Sequence, residues 1–451
     1  MSTSVRKGWI RGPYGYRETQ LESADFTAAM TLFVAGVPAL MVGAELAGLG
    51  IGFGQLILAA PIGALLGAFS AGLMARKAAA NGTPSVYLAR PAFGSIGAAL
   101  LTLFRLIMTV AWGAIVLRVA GEWLSAAVTT IGLSLPGAMG PIIVAAIGVL
   151  MLAAGPAWMV GVLLRRRLFG LAVVAVLVAA WVVLNGTGVA SEHTMEGGFL
   201  DTIDAVFGLA LLWMAVGGDV AGFGQREEET ASGIGFGFGV AALVFVLGGA
   251  AMAGRFGGFP ADLTVLGAGV LAGVAAIVWV PLMESDGFSG LVTSGGFSLE
   301  SLIPVVPPLV LAVIAGGASL VASIALPVDQ LRDWTFLAAT LFAPGVGVVL
   351  ADAYVVRRGA YLTDDLYRWR GEYGLLNVAG MVSWVIGVGV ALWLRPVGPP
   401  MVRDAIIGVA GEGSAGLPVL IIGLVTGAVP YFGLGWLVLR GRAATYRLRG
   451  F

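Results

Sequence analysis

Residues 25–50 read DFTAAMTLFVAGVPALMVGAELAGLG. As a helix rising about 1.5 Å per residue, this stretch is long enough to cross a bilayer. Its middle carries a flaw. Gly36-Val37-Pro38 sets a flexible residue two places before one that has no amide hydrogen and clashes with the preceding turn. A break at that depth strands backbone polar groups in hydrocarbon. It is tolerated where neighbouring helices heal a proline kink, or where the open backbone lines a cavity or binds something. Interrupted helices near the midplane are the best sequence pointer to a transporter's binding site. Of the two readings, the second is the working expectation: the break holds a site.

The rest of the chain supports a membrane setting. Of its 451 residues, 59% are hydrophobic and 11% charged, against about 25% charged in soluble domains. The expected fold class is an all-α integral membrane protein embedded in a lipid bilayer. Polar or turn-rich breaks divide it into twelve spans near 26–50, 52–75, 97–124, 138–154, 168–185, 203–224, 232–254, 263–284, 304–326, 334–356, 374–394 and 417–438. A β-barrel is excluded, because barrel strands need short alternating segments. Seventy glycines suit close helix packing. With no cysteine, disulfides, thiolate metal sites and cysteine nucleophiles are excluded. The one histidine, His193, lies in a polar loop and cannot make a metal site or a triad alone. No HExxH or nucleophile elbow occurs, so an enzyme is not expected, nor an enzymatic cofactor or a nucleic-acid partner. A monomer is expected.

Charge fixes the expected orientation. With the N-terminus inside, nineteen of the twenty-five basic residues fall in inner segments and four, Arg255, Arg332, Arg395 and Arg403, in outer ones. Arg105 and Arg118 lie within the third span. Such a bias follows the positive-inside rule and puts both termini in the cytoplasm. Met1–Glu22 is polar and basic, without the apolar core of a cleavable signal. The expected location is an inner or plasma membrane.

Ionisable groups inside spans are costly and point to function. Arg118 and Glu122, at i,i+4 spacing on the third span, are expected to pair near the outer interface. Arg105 is expected to anchor a neighbour's carbonyls. Asp219 and Asp352 lie near inner span ends beside Arg226 and Arg357–Arg358, and interfacial ion pairs are expected for both. The eighth span ends WVPLMESDGFSG, where Pro281 breaks the helix and Glu284 and Asp286 follow. Those two acids are either solvated beyond the span or buried and able to take up a proton, since burial disfavours a carboxyl's charged form. Trp112, Trp213 and Trp279 lie within spans, where a tryptophan either fills space or offers a flat surface to a planar ligand.

Three stretches resemble the nucleobase-cation-symport family of type one, the cytosine, purine, allantoin and hydantoin permeases. The first is LFAPGVGVVLADAYVVRRGAY, Leu341–Tyr361. The second is GLGIGFGQLILAAPIGALLGAFSAGL followed by NGTPSVYLARPAFGSIGAALLTLFRLIMTVAWGAIV, with Gln55, Pro84, Arg90, Phe93, Gly94, Arg105 and Trp112 where the family pattern has them. The third is Asp219-Val-Ala-Gly-Phe-Gly-Gln. The resemblance implies a five-plus-five inverted repeat of the LeuT-like class with two C-terminal helices. Residues 26–185 would be the first block, 203–356 the second and inverted one, and 374–438 the two added helices. A cytoplasmic segment, 1–25, precedes them and a basic cytoplasmic tail, 439–451, follows. Spans one and six, each with a glycine-rich interruption, would open the two blocks.

The resemblance further implies import of a small planar heterocycle, coupled to co-transported H+ or Na+, by alternating access. Substrate would lie among spans one, three, six and eight. Trp112 matches the family's stacking tryptophan. One turn on, Val116 stands where a glutamine is common. The span-six aromatic falls near Ala210, leaving Trp213 as a substitute. In span eight the usual threonines and asparagine are replaced by Val280-Pro-Leu-Met-Glu284-Ser285, and the nearest hydroxyls, Ser285, Ser289 and Thr293, are expected too far toward the cytoplasm. The expected substrate residues are therefore Gly36, Val37, Pro38, Trp112, Val116, Ala210, Trp213 and Glu284. The expected ion-coupling residues are Gly36, Pro38, Glu284 and Ser285. An amino acid or amine on the same scaffold, and a homologue that lost its ion site, are the alternatives.

Overall fold

The computed structural model describes residues 21–153, 155–165, 198–256, 269–358, 361–413 and 416–440. The first expected span is two helices, α1 (Ser23–Val34) and α2 (Val37–Gly48), which meet at 56°. They are followed by α3 (Phe53–Asn81), α4 (Ala89–Thr129) and α5 (Met139–Leu150). Next come α6 (Phe199–Val220), α7 (Glu227–Phe256), α8 (Gly269–Leu302), α9 (Pro308–Ala325) and α10 (Val328–Ala351). The last are α11 (Val378–Leu394), α12 (Pro400–Ala410) and α13 (Val419–Arg440). Each of the expected spans except the fifth and the eighth coincides with one of these helices or with the bent pair; residues 168–185 and 263–268 lie outside the described residues, and α8 runs past the expected end of the eighth span. The N-terminal segment up to residue 20, His193 and the tail beyond Arg440 lie outside them too.

Six described helices are long and apolar enough to cross a membrane, and the bent pair makes a seventh candidate. Their outward faces are apolar: on α3, Leu58, Leu65 and Phe69 are 65%, 69% and 67% exposed. Water would penalise such a surface, and lipid does not. The inward faces are small-residue rich. α2 and α7 pack backbone to backbone, since a Cβ on Gly43 would stand 1.8 Å from the Val246 carbonyl oxygen and one on Gly249 1.8 Å from that of Leu40. Only glycine permits that approach.

Two expectations about breaks are corrected. Pro281 does not end the eighth span: α8 continues to Leu302, across most of the stretch between the expected eighth and ninth spans. A proline inside a helix frees one carbonyl four residues back, a defect that packed neighbours accommodate. Glu284, Ser285, Asp286, Ser289 and Thr293 are consequently buried at 2% exposure or less. Span six carries no interruption at Gly217-Gly218 either; α6 is helical to Val220. Those glycines make room for neighbours. A Cβ at Gly217 would meet Met30 and Ile234 at 3.0 Å, and one at Gly218 would meet the Ser85 Cβ at 2.6 Å.

The helices form connected layers. α7 packs on α1, α2 and α3, and α6 packs on α3. α4 packs on α8, α9 and α10, α8 also on α5 and α9, and α13 on α10 and α11. The break between α1 and α2 therefore faces the seam where α4, α6 and α8 converge. The short helix α12, with no buried residue, joins α11 to α13 and was not anticipated from hydropathy.

Candidate functional site

The break is built from Ala35 and Gly36. Gly36 occupies the N-cap position of α2 with extended backbone, and Pro38 sits in the helix's first turn. Proline is well placed there, because a first-turn amide has no partner within the helix. What the sequence reads as a helix breaker is thus the start of a second helix. The cap position offers no side chain, Pro38 has no N–H and the Ala39 N–H bonds to Gly36 O at 3.1 Å, so the Val37 N–H is the first-turn amide that needs an acceptor from elsewhere. Glu284 of α8 supplies one: its Oε1 accepts the Val37 N–H at 2.7 Å.

Around this junction the structure gathers six of the nine expected site residues. Gly36, Pro38, Trp112, Val116, Trp213 and Glu284 line one internal cavity with Phe33, Val34, Ala39, Met283 and Gly287. The walls come from α1 and α2, from α4, from α6 and from α8. Trp213 stacks on Phe33, ring centroids 6.2 Å apart and planes within 9°. The indole N–H groups of Trp112 and Trp213 are buried without a hydrogen-bond partner among the described residues. The free space is about that of a single water molecule, so any larger ligand enters only when the helices move.

Three expected residues stand elsewhere. Val37 acts through its backbone N–H. Ala210 faces α3, close to where a Cβ on Gly67 would fall, and does not line the cavity; Trp213, one turn on, does. Ser285 turns its carbonyl toward Gly148 of α5, and its hydroxyl donates to Leu282 O at 3.0 Å. The hydroxyls of Ser289 and Thr293 likewise donate to carbonyls within α8.

A second buried cluster was missed. Asp219, expected beside Arg226, pairs instead with Arg105 of α4, and both are fully buried. Arg226 pairs with Glu229. Arg105 also donates to Ala215 O at 3.0 Å, Ser294 Oγ at 2.8 Å and Ser85 Oγ at 3.1 Å. Asp219 accepts from Ser85 Oγ and the Val86 N–H. The expected carbonyl anchoring by Arg105 is present, but subordinate to the ion pair. The available signal was two opposite charges on separate apolar spans, each needing a partner. Other pairs match expectation: Arg118 meets Glu122 at 2.7 Å, and Asp352 is held by Arg357 at 3.1 Å, with Tyr361 and Tyr431 hydroxyls added. Glu45 on α2 pairs with Arg332 on α10.

Against known proteins, the sequence pattern of a family described as permeases for cytosine/purines, uracil, thiamine and allantoin matches residues 19–411. A comparison with curated proteins finds no match. Among solved structures, the chain resembles Mhp1, a nucleobase-cation-symport-1 family transporter, in a closed conformation with bromovinylhydantoin bound. The TM-score is 0.76 at 16% identity, covering 98% of this chain and 96% of that one. The inward-facing conformation of Mhp1 gives 0.70 at 16% identity, covering 98% and 94%. A Na+-coupled sialic acid symporter, substrate-bound and outward-open, gives 0.57 at 14% identity, covering 96% and 92%. The fold is shared with these transporters, and the multi-pass apolar helices are those of a membrane protein. With the family pattern spanning most of its length, this chain belongs to the permease family for cytosine/purines, uracil, thiamine and allantoin, the nucleobase-cation-symport-1 transporters, and is a carrier rather than an enzyme.

Proposed function

We propose that the chain is a secondary transporter that imports a nucleobase or related small planar heterocycle, driven by a co-transported proton, by alternating access. One observation carries the reading: the broken helix, two tryptophans from separate helices and one buried carboxylate border a single cavity. Indole faces stack on planar rings. The coupling ion is assigned to Glu284. Among the lining residues it holds the one side-chain oxygen, and it forms no ion pair among the described residues. An ionised carboxylate so placed is unfavourable by several kcal/mol until a cation joins it. Sodium asks for several oxygen ligands, and the α8 hydroxyls are engaged within their own helix.

Residues 26–185 and 203–356 serve in this reading as the two inverted blocks. The protein is a monomer in an inner or plasma membrane with both termini cytoplasmic. The test is uptake of labelled cytosine into proteoliposomes under an inward proton gradient, or under a sodium gradient at constant pH. Proton-driven accumulation is expected. Accumulation with sodium at constant pH and none with protons would overturn the assignment of Glu284.

A further inference from the structure

The Glu284 carboxylate fills a place that the architecture creates. α2 is a twelve-residue helix whose N-terminus opens inside the protein. Its first turn carries the positive end of the helix dipole, and there the Val37 N–H has no helical partner, Pro38 has no N–H and the Ala39 N–H already reaches Gly36 O. Glu284 seats its carboxyl group there by accepting the Val37 N–H. The cavity lining supplies no cation from α1, α2, α4 or α6, and the other nearby acid, Asp286, is on α8 itself. A ligand bringing its own carboxylate would meet like charge. Glu284 Oε2 has no partner among the described residues, so the carboxyl can present both oxygens to a ligand edge. Such an edge is matched by two adjacent nitrogens, as in bidentate guanidinium–carboxylate pairs.

We infer that the substrate is a planar heterocycle with an amidine edge, a ring nitrogen beside an exocyclic amino group, and that Glu284 binds this edge and the coupling proton as one unit. The inference rests on the reading of the chain as a proton-coupled heterocycle importer. The proton balance closes with one proton and one neutral amidine. With the proton on the carboxyl, its O–H donates to the ring nitrogen and its other oxygen accepts from the amino group. With the proton on the ring nitrogen, the same two hydrogen bonds join carboxylate to amidinium. Only O–H and N–H bonds change, and the pair is neutral overall, which suits an apolar cavity better than a bare carboxylate. A lactam or imide edge also meets the protonated acid with two hydrogen bonds. It cannot take the proton, however, and forgoes the charge-assisted pair, which is roughly twice as strong.

The test uses purified full-length protein with cytosine and adenine as amidine probes, and uracil and hydantoin as lactam and imide probes. Cytosine or adenine should bind at least about tenfold more tightly than uracil or hydantoin. An internal pH dye should record one proton entering per cytosine. Glu284→Gln offers one acceptor and one donor, the pattern of the protonated acid. It should exchange labelled for unlabelled cytosine within about tenfold of the parent protein, yet show no proton-driven accumulation. Glu284→Leu should weaken cytosine binding roughly 10- to 100-fold. Asp286→Asn should keep the coupling, and unfolding temperatures show that each variant is folded. Loss of cytosine exchange in Glu284→Gln, or loss of coupling in Asp286→Asn alone, overturns the inference. Proton-driven uptake of uracil or hydantoin with cytosine and adenine excluded also overturns it, and leaves the importer reading standing. No proton-driven movement of any of the four overturns both.

Discussion

Asp219 on α6 and Glu284 on α8 are acids with 0% and 2% exposure, and their surroundings treat them in opposite ways. Asp219 meets the Arg105 guanidinium, the Ser85 hydroxyl and the Val86 amide. Glu284 meets one backbone amide and no basic group among the described residues, and shares its cavity with two tryptophans. A buried charge with a full set of partners is a fixed part of the architecture; removing one partner leaves the other stranded. A buried acid with a single partner beside a helix break and a cavity is incomplete in itself, and a proton or ligand completes it. The first acid ties α4 to α6 and the second keeps a place open.

The largest effect that separates them is on stability. Arg105→Met leaves Asp219 uncompensated and is expected to cost about 3–5 kcal/mol, read as a large fall in unfolding temperature. The double variant Arg105→Met/Asp219→Leu replaces the pair with apolar groups and should recover most of that loss. Glu284→Gln removes a charge that has no counter-charge, so it should not lower the unfolding temperature. If Glu284→Gln destabilised the protein as much as Arg105→Met, the contrast between the two acids would collapse.

The next effect concerns the aromatic wall that only the Glu284 site possesses. Trp112→Ala should weaken cytosine binding by about 1–3 kcal/mol, the usual worth of stacking a base on an aromatic ring, or roughly 5- to 150-fold. The loss of affinity should exceed any that a fall in unfolding temperature accounts for, since Trp112 is partly buried against the core and its indole N–H has no partner to lose among the described residues. Unchanged affinity would remove Trp112 from the site and leave Glu284 to explain recognition alone.

How far these two sites could be read from the sequence differs for a physical reason. The break at Gly36-Val37-Pro38 is a local signal, because backbone preferences act over a few residues whatever the tertiary context. Trp112 and Trp213 are visible as aromatics in the middle of apolar runs. Local signals misled where tertiary packing overrules them. Pro281 reads as a stop, yet α8 passes through it, and Gly217-Gly218 reads as an interruption, yet both glycines admit neighbouring side chains to a continuous helix. The Arg105–Asp219 pair joins positions 114 residues apart, and sequence spacing alone does not select that partner over nearby Arg226. Glu284 was legible as an acid near a proline; that it caps another helix's N-terminus depends on how α8 crosses α2.

The smallest effect tests that cap directly. Gly36 has φ near −149°, extended backbone that any residue adopts, so Gly36→Ala adds a methyl group without conformational strain. The added Cβ would stand 3.0 Å from Glu284 Oε2 and 3.1 Å from Oε1, closer than ordinary contact. The carboxyl must shift by a few tenths of an ångström, weakening its bond to the Val37 N–H. The expected cost is on the order of 1 kcal/mol, read as roughly a fivefold fall in cytosine affinity. In a Glu284→Ala background the three nearest atoms to that methyl group are gone, so it should have no further effect on cytosine binding. An equal penalty in both backgrounds would mean that Gly36 serves the packing of α1 against α2, and that Glu284 is not held by the break.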